Sequence, residues 1–341
     1  FFKRKKENEQ TTKDNQHVKQ QNDPKIEIGL KLDKNLESLQ TMLGKPEDLI
    51  IREVNIGENK LKGAICYIGG MIDKNLVNNN ILKTIQENSK QVNSDMLEQI
   101  FQDIIAITNI KKVRTLNEVS NEILSGSTVF YLDGIDTVLV MGTEGAEKRS
   151  IDEPQTESVV RGPRIGFVEN IETNITLIRR ELKDPNLRFK TYEVGKRSKQ
   201  KIVVCYVADI VNPGIVDEID RRLKTIDIDF SIGSGFVEQW VEDSFLSPSP
   251  QLLDTERPDR LIFSMLQGKV GILVDGSPFA LVAPVVLNDA MDSLEDYTQR
   301  WLIGSFLRLI RYFSVFLAVF LPAIYVAFVS YHPGLIPSQL A

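Results

Sequence analysis

The run Tyr312-Phe-Ser-Val-Phe-Leu-Ala-Val-Phe-Leu-Pro-Ala-Ile-Tyr-Val-Ala-Phe-Val-Ser330 constrains this chain more than any other stretch. No residue after Arg311 carries a formal charge. A helix needs about 20 mainly apolar residues to cross the hydrocarbon core of a bilayer. A helix of that length in a globular domain would keep a polar face, and this run has none. Residues 312–331 therefore read as a transmembrane helix. Pro322 lies mid-run; transmembrane helices tolerate proline where neighbouring helices re-satisfy the freed backbone, which hints at a bundle. Arg300, Arg308 and Arg311 precede the run and nothing basic follows it. Excess Lys and Arg mark the cytoplasmic side, so the large N-terminal part is expected to be cytoplasmic. Trp301, Arg308 and Arg311 are expected to anchor the helix against lipid at the interface.

The remaining length suits about two domains. Residues 1–24 are almost free of apolar side chains and cannot offset their ordering entropy, so a disordered polar tail is expected. Its basic cluster, Lys3 to Lys6, reads as solvated, with anionic lipid the less favoured contact. The chain starts at Phe1 without Met or a secretory pattern and stops soon after the apolar run. A piece of a longer polypeptide is expected.

From residue 25 to 142 the pattern is that of a first α/β subdomain. Apolar spacing gives helices over 33–43, 73–86, 94–105 and 116–124. Hairpins are expected from 48–56 with 61–68, and from 127–132 with 137–141 around Asp133-Gly134. Residues 110–115 read as extended. Residues 143–166, rich in charge, Pro and Gly, read as a linker. A second α/β subdomain over 167–291 has helices over 168–182, 213–223, 236–245 and 259–267. Its hairpins run from 187–194 with 201–208 and from 269–274 with 279–285, with a further extended stretch over 226–232. Residues 292–311 read as a connecting amphipathic helix. The class is α+β: two tandem related subdomains, each a mixed β-sheet with packed helices, then the transmembrane helix.

The second half repeats the first. Cys66-Tyr-Ile-Gly-Gly-Met-Ile-Asp73 is echoed by Cys205-Tyr-Val-Ala-Asp-Ile-Val-Asn212, and Tyr131-Leu-Asp-Gly134 by Leu273-Val-Asp-Gly276, each about 140 residues on. Two matches in the same order argue for an internal duplication.

Several chemistries are excluded. The net charge of −6 opposes a nucleic-acid binder driven by phosphate neutralisation. Cys66 and Cys205 sit in apolar strands and read as buried thiols in a reducing compartment. The two histidines, His17 and His332, lie outside the folded units, so neither a histidine triad nor a histidine metal site is available there. No phosphate-binding Gly-Lys-Ser/Thr loop occurs, and Gly233-Ser-Gly235 lacks the rest of a dinucleotide fingerprint. Asp133 and Asp275 read as turn residues before glycine rather than as paired catalytic carboxylates. No catalytic residue, metal or cofactor is assigned. What stands out is a charged set, Glu157, Arg161 and Arg164 in the linker with Glu256, Arg257 and Asp259 in a loop. Arg–carboxylate forks fix geometry between segments, so these six are expected at a subdomain junction.

Glu153-Pro-Gln-Thr-Glu157, Val160-Arg-Gly-Pro-Arg164, Thr173-Asn174, Leu177-Ile-Arg-Arg180, Thr255-Glu-Arg-Pro-Asp259, Val274-Asp-Gly-Ser-Pro-Phe279, Glu295-Asp-Tyr297 and His332-Pro-Gly-Leu-Ile-Pro337 fall in one order. Together they resemble the A-subunit family of spore germinant receptors, the GerA family. Ile165 departs from it, standing where an acid is expected after Gly-Pro-Arg. The resemblance implies a non-enzymatic, multi-pass subunit of the inner spore membrane that couples germinant sensing to ion release. It implies a transporter-like B subunit and a lipoprotein C subunit as partners, and a homo-oligomer. The rival reading is a membrane-tethered small-molecule binding protein with its cleft between the two subdomains.

Overall fold

The computed structural model describes residues 26–56, 61–83, 110–145, 154, 156–157, 159, 162–230, 233–244, 246–247, 250–293 and 295–331. The tail over 1–24 and the helix expected over 94–105 lie outside the described residues. The chain forms two compact units. The first comprises the chain through Lys45 with Leu49–Gly145, and the second comprises Pro46–Asp48 with the chain from Ala146 onward.

The first unit contains α1 (Leu32–Met42), β1 (Leu49–Ile56), β2 (Leu61–Ile68) and α2 (Lys74–Leu76), which passes into a π-helical turn over Val77–Leu82. There follow β3 (Ile110–Val113), α3 (Leu116–Leu124), β4 (Thr128–Leu132) and β5 (Val138–Met141). The second unit contains α4 (Ile171–Glu181), β6 (Leu187–Val194), β7 (Gln200–Val207), α5 (Pro213–Thr225), α6 (Gly233–Val241), β8 (Leu253–Thr255), α7 (Pro258–Leu266), β9 (Val270–Val274) and β10 (Ala280–Ala283). It closes with α8 (Leu287–Met291), α9 (Glu295–Thr298) and α10 (Trp301–Tyr331).

The two sheets have one topology. Their orders are β1-β2-β4-β5-β3 and β6-β7-β9-β10-β8. The fold is α+β as expected, but every ladder is antiparallel rather than mixed. The reason is topological. The helical crossovers β3–α3–β4 and β8–α7–β9 do join strands that run the same way. In each case the hairpin partner, β5 or β10, slots between them, so no parallel pair becomes adjacent.

Both faces of each sheet are covered, which is why the central strands are apolar throughout instead of alternating. In the first sheet Cys66, Val129, Tyr131 and Val140 pack with Leu39 of α1 and Val119 and Ile123 of α3. Ile65, Phe130, Leu139 and Met141 face the other way, onto Val77, Ile81 and Leu82. In the second sheet Val203, Cys205 and Leu273 meet Ile178 of α4 and Leu261 of α7, while Ile202, Val204 and Ile272 meet Ile219, Leu223 and Val237 of α5 and α6.

The duplication extends to the polar latches. Asn35 accepts from Gly29 N (2.9 Å) and donates to Gly29 O (2.6 Å); Asn174 does the same with Val168 N (2.9 Å) and Val168 O (2.6 Å). Asp133 accepts from Leu32 N at 3.0 Å, and Asp275 from Ile171 N at 3.3 Å. The next residues, Gly134 and Gly276, have φ of 83° and 79°, a left-handed conformation that suits glycine. Their N–H groups donate to Leu30 O and Glu169 O. Asp133 and Asp275 thus hold turns and helix starts.

Three expectations change. Residues 226–230 form no strand; instead Ile228 O and Asp229 O accept from Lys196, Arg197 and Ser198 N, closing the β6–β7 turn. Thr255 ends a short edge strand, β8, whose length gave no alternation to detect. Residues 292–311 are not one helix: α9 ends at Thr298, and α10 starts afresh at Trp301 and runs through Pro322. The Pro46–Asp48 segment belongs with the second unit, where Asp48 takes a two-pronged bond from buried Arg179 (2.8 and 3.0 Å).

Candidate functional site

Two linked clusters in the second unit carry the buried charge. The first lies where α7 begins. Arg257, only 1% exposed, occupies the N-cap position of α7. The equivalent place in the first unit is Thr115, because Ile28 N donates to Arg114 O as Phe167 N does to Glu256 O. Thr115 caps its helix through Glu118 N. Arg257 makes no cap. Its guanidinium instead donates to both Asp259 oxygens (3.0 and 2.7 Å), to Glu157 O (3.2 Å) and to Pro163 O (3.1 Å). A rigid planar fork suits this task, and a lysine does not supply one.

The neighbours complete the cluster. One Glu157 carboxylate oxygen accepts from Thr255 Oγ1 (2.5 Å) and Glu256 N (3.2 Å), and the other meets Arg260. Glu256 accepts from Thr156 N at 3.0 Å, and its carbonyl takes the Phe167 N–H at 2.7 Å. Thr156, Glu157, Pro163 and Phe167 are therefore tied as a strap across the start of α7, with side-chain bonds from both sides. Of the residues singled out from sequence, Glu157, Glu256, Arg257 and Asp259 come together here. Arg164 is exposed, and Arg161 lies outside the described residues. Arg260, not singled out, joins through the first turn of α7.

The second cluster roots the apolar helix. Asp296 on α9, 8% exposed, pairs with Arg311 Nη1 at 2.8 Å and Nη2 at 3.2 Å. Arg308 lies 3.6 Å from Asp296 and 3.3 Å from Asp292. Burial pushes the Asp296 carboxyl up, but the Arg311 hydrogen bond and the charges of both arginines outweigh it and hold it below the usual carboxylate range. Arg311 also donates to Met291 O at 2.5 Å, and Tyr312 Oη meets Asn288. Gly304 packs so tightly on α9 that a Cβ there would lie 2.3 Å from Asp296 O. Asp289 takes Val286 N at 2.7 Å and pairs with Lys269, which stands at the start of β9.

Arg308 and Arg311 thus have protein carboxylates as partners, while Trp301 is 77% exposed. The clusters adjoin: a Cβ on Gly162 would stand 3.6 Å from Thr298 of α9 and 3.7 Å from Arg257 Nη2. Asp296 escaped sequence reasoning because its partners lie beyond a chain reversal; the motif Glu295-Asp-Tyr297 was the one signal of it. Among the described residues no group of three His, Cys, Asp or Glu could hold a metal ion. The helix over Trp301–Ser330 is long and apolar enough to cross a membrane.

Comparison with known proteins agrees with this architecture. The family model described as Bacillus/Clostridium GerA spore germination protein matches residues 37–341. Spore germination protein GerLA of Bacillus cereus is 45% identical over 306 residues, covering 90% of this chain and 62% of the relative. Spore germination protein B1 of Bacillus subtilis (strain 168) is 36% identical, covering 93% of this chain and 65% of the relative. The chain thus spans less than two thirds of the length of these relatives. A crystal structure of the N-terminal domain of the A subunit of the Bacillus megaterium spore germinant receptor GerK3 matches with TM-score 0.62 and 31% identity, over 78% of this chain and 99% of that one. On the family model and these relatives, the chain belongs to the GerA family of spore germination proteins.

Proposed function

We propose that this chain is the non-enzymatic A subunit of a nutrient germinant receptor. In this reading it acts with a transporter-like B subunit and a lipoprotein C subunit, as a homo-oligomer, in the inner spore membrane. Residues 312–331 cross the bilayer, further spans follow in the whole protein, and the two units face the spore core. The subunit couples germinant sensing to ion release. One observation carries the proposal: the Glu157–Arg257 cluster and the cluster that roots the apolar helix lie side by side, with Gly162 between Arg257 and Thr298 of α9. From α9 the ion pairs of Asp296 lead to Arg308 and Arg311. Glu157, Arg161, Arg164, Glu256, Arg257 and Asp259 form the transmitting junction in this proposal. A displacement of the strap reaches the helix, in this proposal, through the charge-assisted bonds of Arg257 on one side of Gly162 and those of Asp296 with Arg308 and Arg311 on the other.

The test is germination of spores carrying Glu256→Gln or Asp296→Asn in the full-length subunit, with receptor amount in the inner membrane measured alongside. The expected outcome is slowed nutrient germination at an undiminished receptor level. Germination at the unaltered rate in both variants would overturn the transmission route.

A further inference from the structure

We infer that one edge of the second unit rests on the bilayer surface and inserts apolar side chains into it. The inference depends on the reading that residues 312–331 cross the membrane. Its starting point is a ladder of contacts along α10. Gly304 lies against Asp296, Arg308 meets Asp292 and Asp296, Arg311 meets Met291 O, and Tyr312 meets Asn288. Asn288, Met291, Asp292 and Asp296 therefore follow one another antiparallel to α10. The start of α8 reaches the level of Tyr312, where the span begins. Leu287, 75% exposed, and exposed Val286 stand at that level.

The strand register extends this level into an edge. Asp289 pairs with Lys269 at the start of β9. Cys205 near the end of β7 pairs with Gly271, Val282 near the end of β10 pairs with Leu253, and Gly268 sits under Ile210 O. The end of β7, the start of β9, the end of β10, the start of β8 and the end of α7 consequently share one side. Ile210, Leu246 (79% exposed), Leu266, Val286 and Leu287 are exposed along it. Leu246 precedes β8 in a loop tied by Gln251 to Asp243 and Ser244. Phe230 is the corresponding exposed residue at the opposite end, beside the β6–β7 turn closed by Asp229 O. Large side chains presented together at the depth where a span enters the bilayer fit the apolar part of the headgroup region, as interfacial anchors do. The exposed acid Asp209 lies on the same side, so the contact is apolar in character and does not depend on anionic lipid.

Single cysteines at positions 246, 287, 230 and 320 test this in the otherwise intact protein reconstituted into phosphatidylcholine vesicles. Cys66 and Cys205 are fully buried with thiols pushed up to about 12, so an environment-sensitive thiol label reports the introduced site. Vesicles with lipids brominated near the headgroup are expected to quench labels at Leu246→Cys and Leu287→Cys several-fold more than at Phe230→Cys. Lipids brominated deep in the chains are expected to quench Phe320→Cys. Quenching at 320, with 246 and 287 behaving like 230, would overturn the inference and leave the span intact. No quenching at 320 would overturn the span reading, and the inference with it. All three soluble positions are exposed, so folding is not at stake in these variants.

Discussion

At the scale of single residues, Arg257 is the most informative side chain. It is a buried cation with one partly solvated carboxylate partner and two backbone carbonyls. Removing it leaves Asp259 and those carbonyls short of donors. Breaking a buried pair costs about 3–5 kcal/mol, and the solvated side of Asp259 places this case at the low end. Arg257→Ala is therefore expected to destabilise the second unit by about 3 kcal/mol. Arg257→Lys should recover only part of that, because an ammonium cannot reach both Asp259 and Pro163 O in one plane. Denaturant unfolding of the detergent-solubilised protein reads both variants. A loss below about 1 kcal/mol for the alanine variant would mean that the strap holds itself. The first unit shows what an ordinary residue does at this position: Thr115 caps its helix and has no further task.

At the scale of elements, the decisive arrangement is the reversal between α9 and α10. Gly304 allows it, since a Cβ there would meet main-chain oxygen and not a side chain that could turn away. Gly304→Val is expected to pry α9 off α10 and speed amide exchange over 295–308. The ion pairs add a pH signature. The Asp296 carboxyl is held low when folded, so its contribution is complete above the unfolded carboxylate range. It is lost only as pH falls through the lowered folded value. The protection of amides over 295–308, taken relative to their intrinsic exchange rate at each pH, should therefore be flat near neutral pH and fall in acid. In Asp296→Asn it should start low and lack that acid fall. An acid fall that persists in Asp296→Asn would assign the pH response to another group. The sequence legibly marked most helices and hairpins here, because apolar spacing and Asp-Gly turns are local signals. It could not reveal that 292–311 breaks in two. The break follows from a contact between Gly304 and Asp296 that local spacing does not encode. For the same reason Arg308 and Arg311 read as lipid anchors: their carboxylates lie across a reversal. Glu157 with Glu256, Arg257 and Asp259 was legible as a charged set, but not the ties that they make to Thr156, Pro163 and Phe167.

At the scale of the whole molecule, one supersecondary plan is used twice and altered in the second copy. Strand order, buried Cys66 and Cys205, the Asn35 and Asn174 latches and the Asp-Gly turns recur. These repeated features stabilise a fold, whereas the Thr115-to-Arg257 difference and the α8–α10 appendix belong to the second copy. Each unit has its own core clusters, so latch defects should stay local. Truncating a buried asparagine that makes two main-chain bonds removes both, at about 0.5–1.5 kcal/mol for each bond. Asn35→Ala is expected to raise amide exchange across β1–β5 while β6–β10 keep their protection, and Asn174→Ala to do the reverse. If either substitution deprotected both sheets equally, the two copies would unfold as one cooperative body. Movement of the strap could then not be treated as a signal confined to the second unit, because any shift there would be shared with the first.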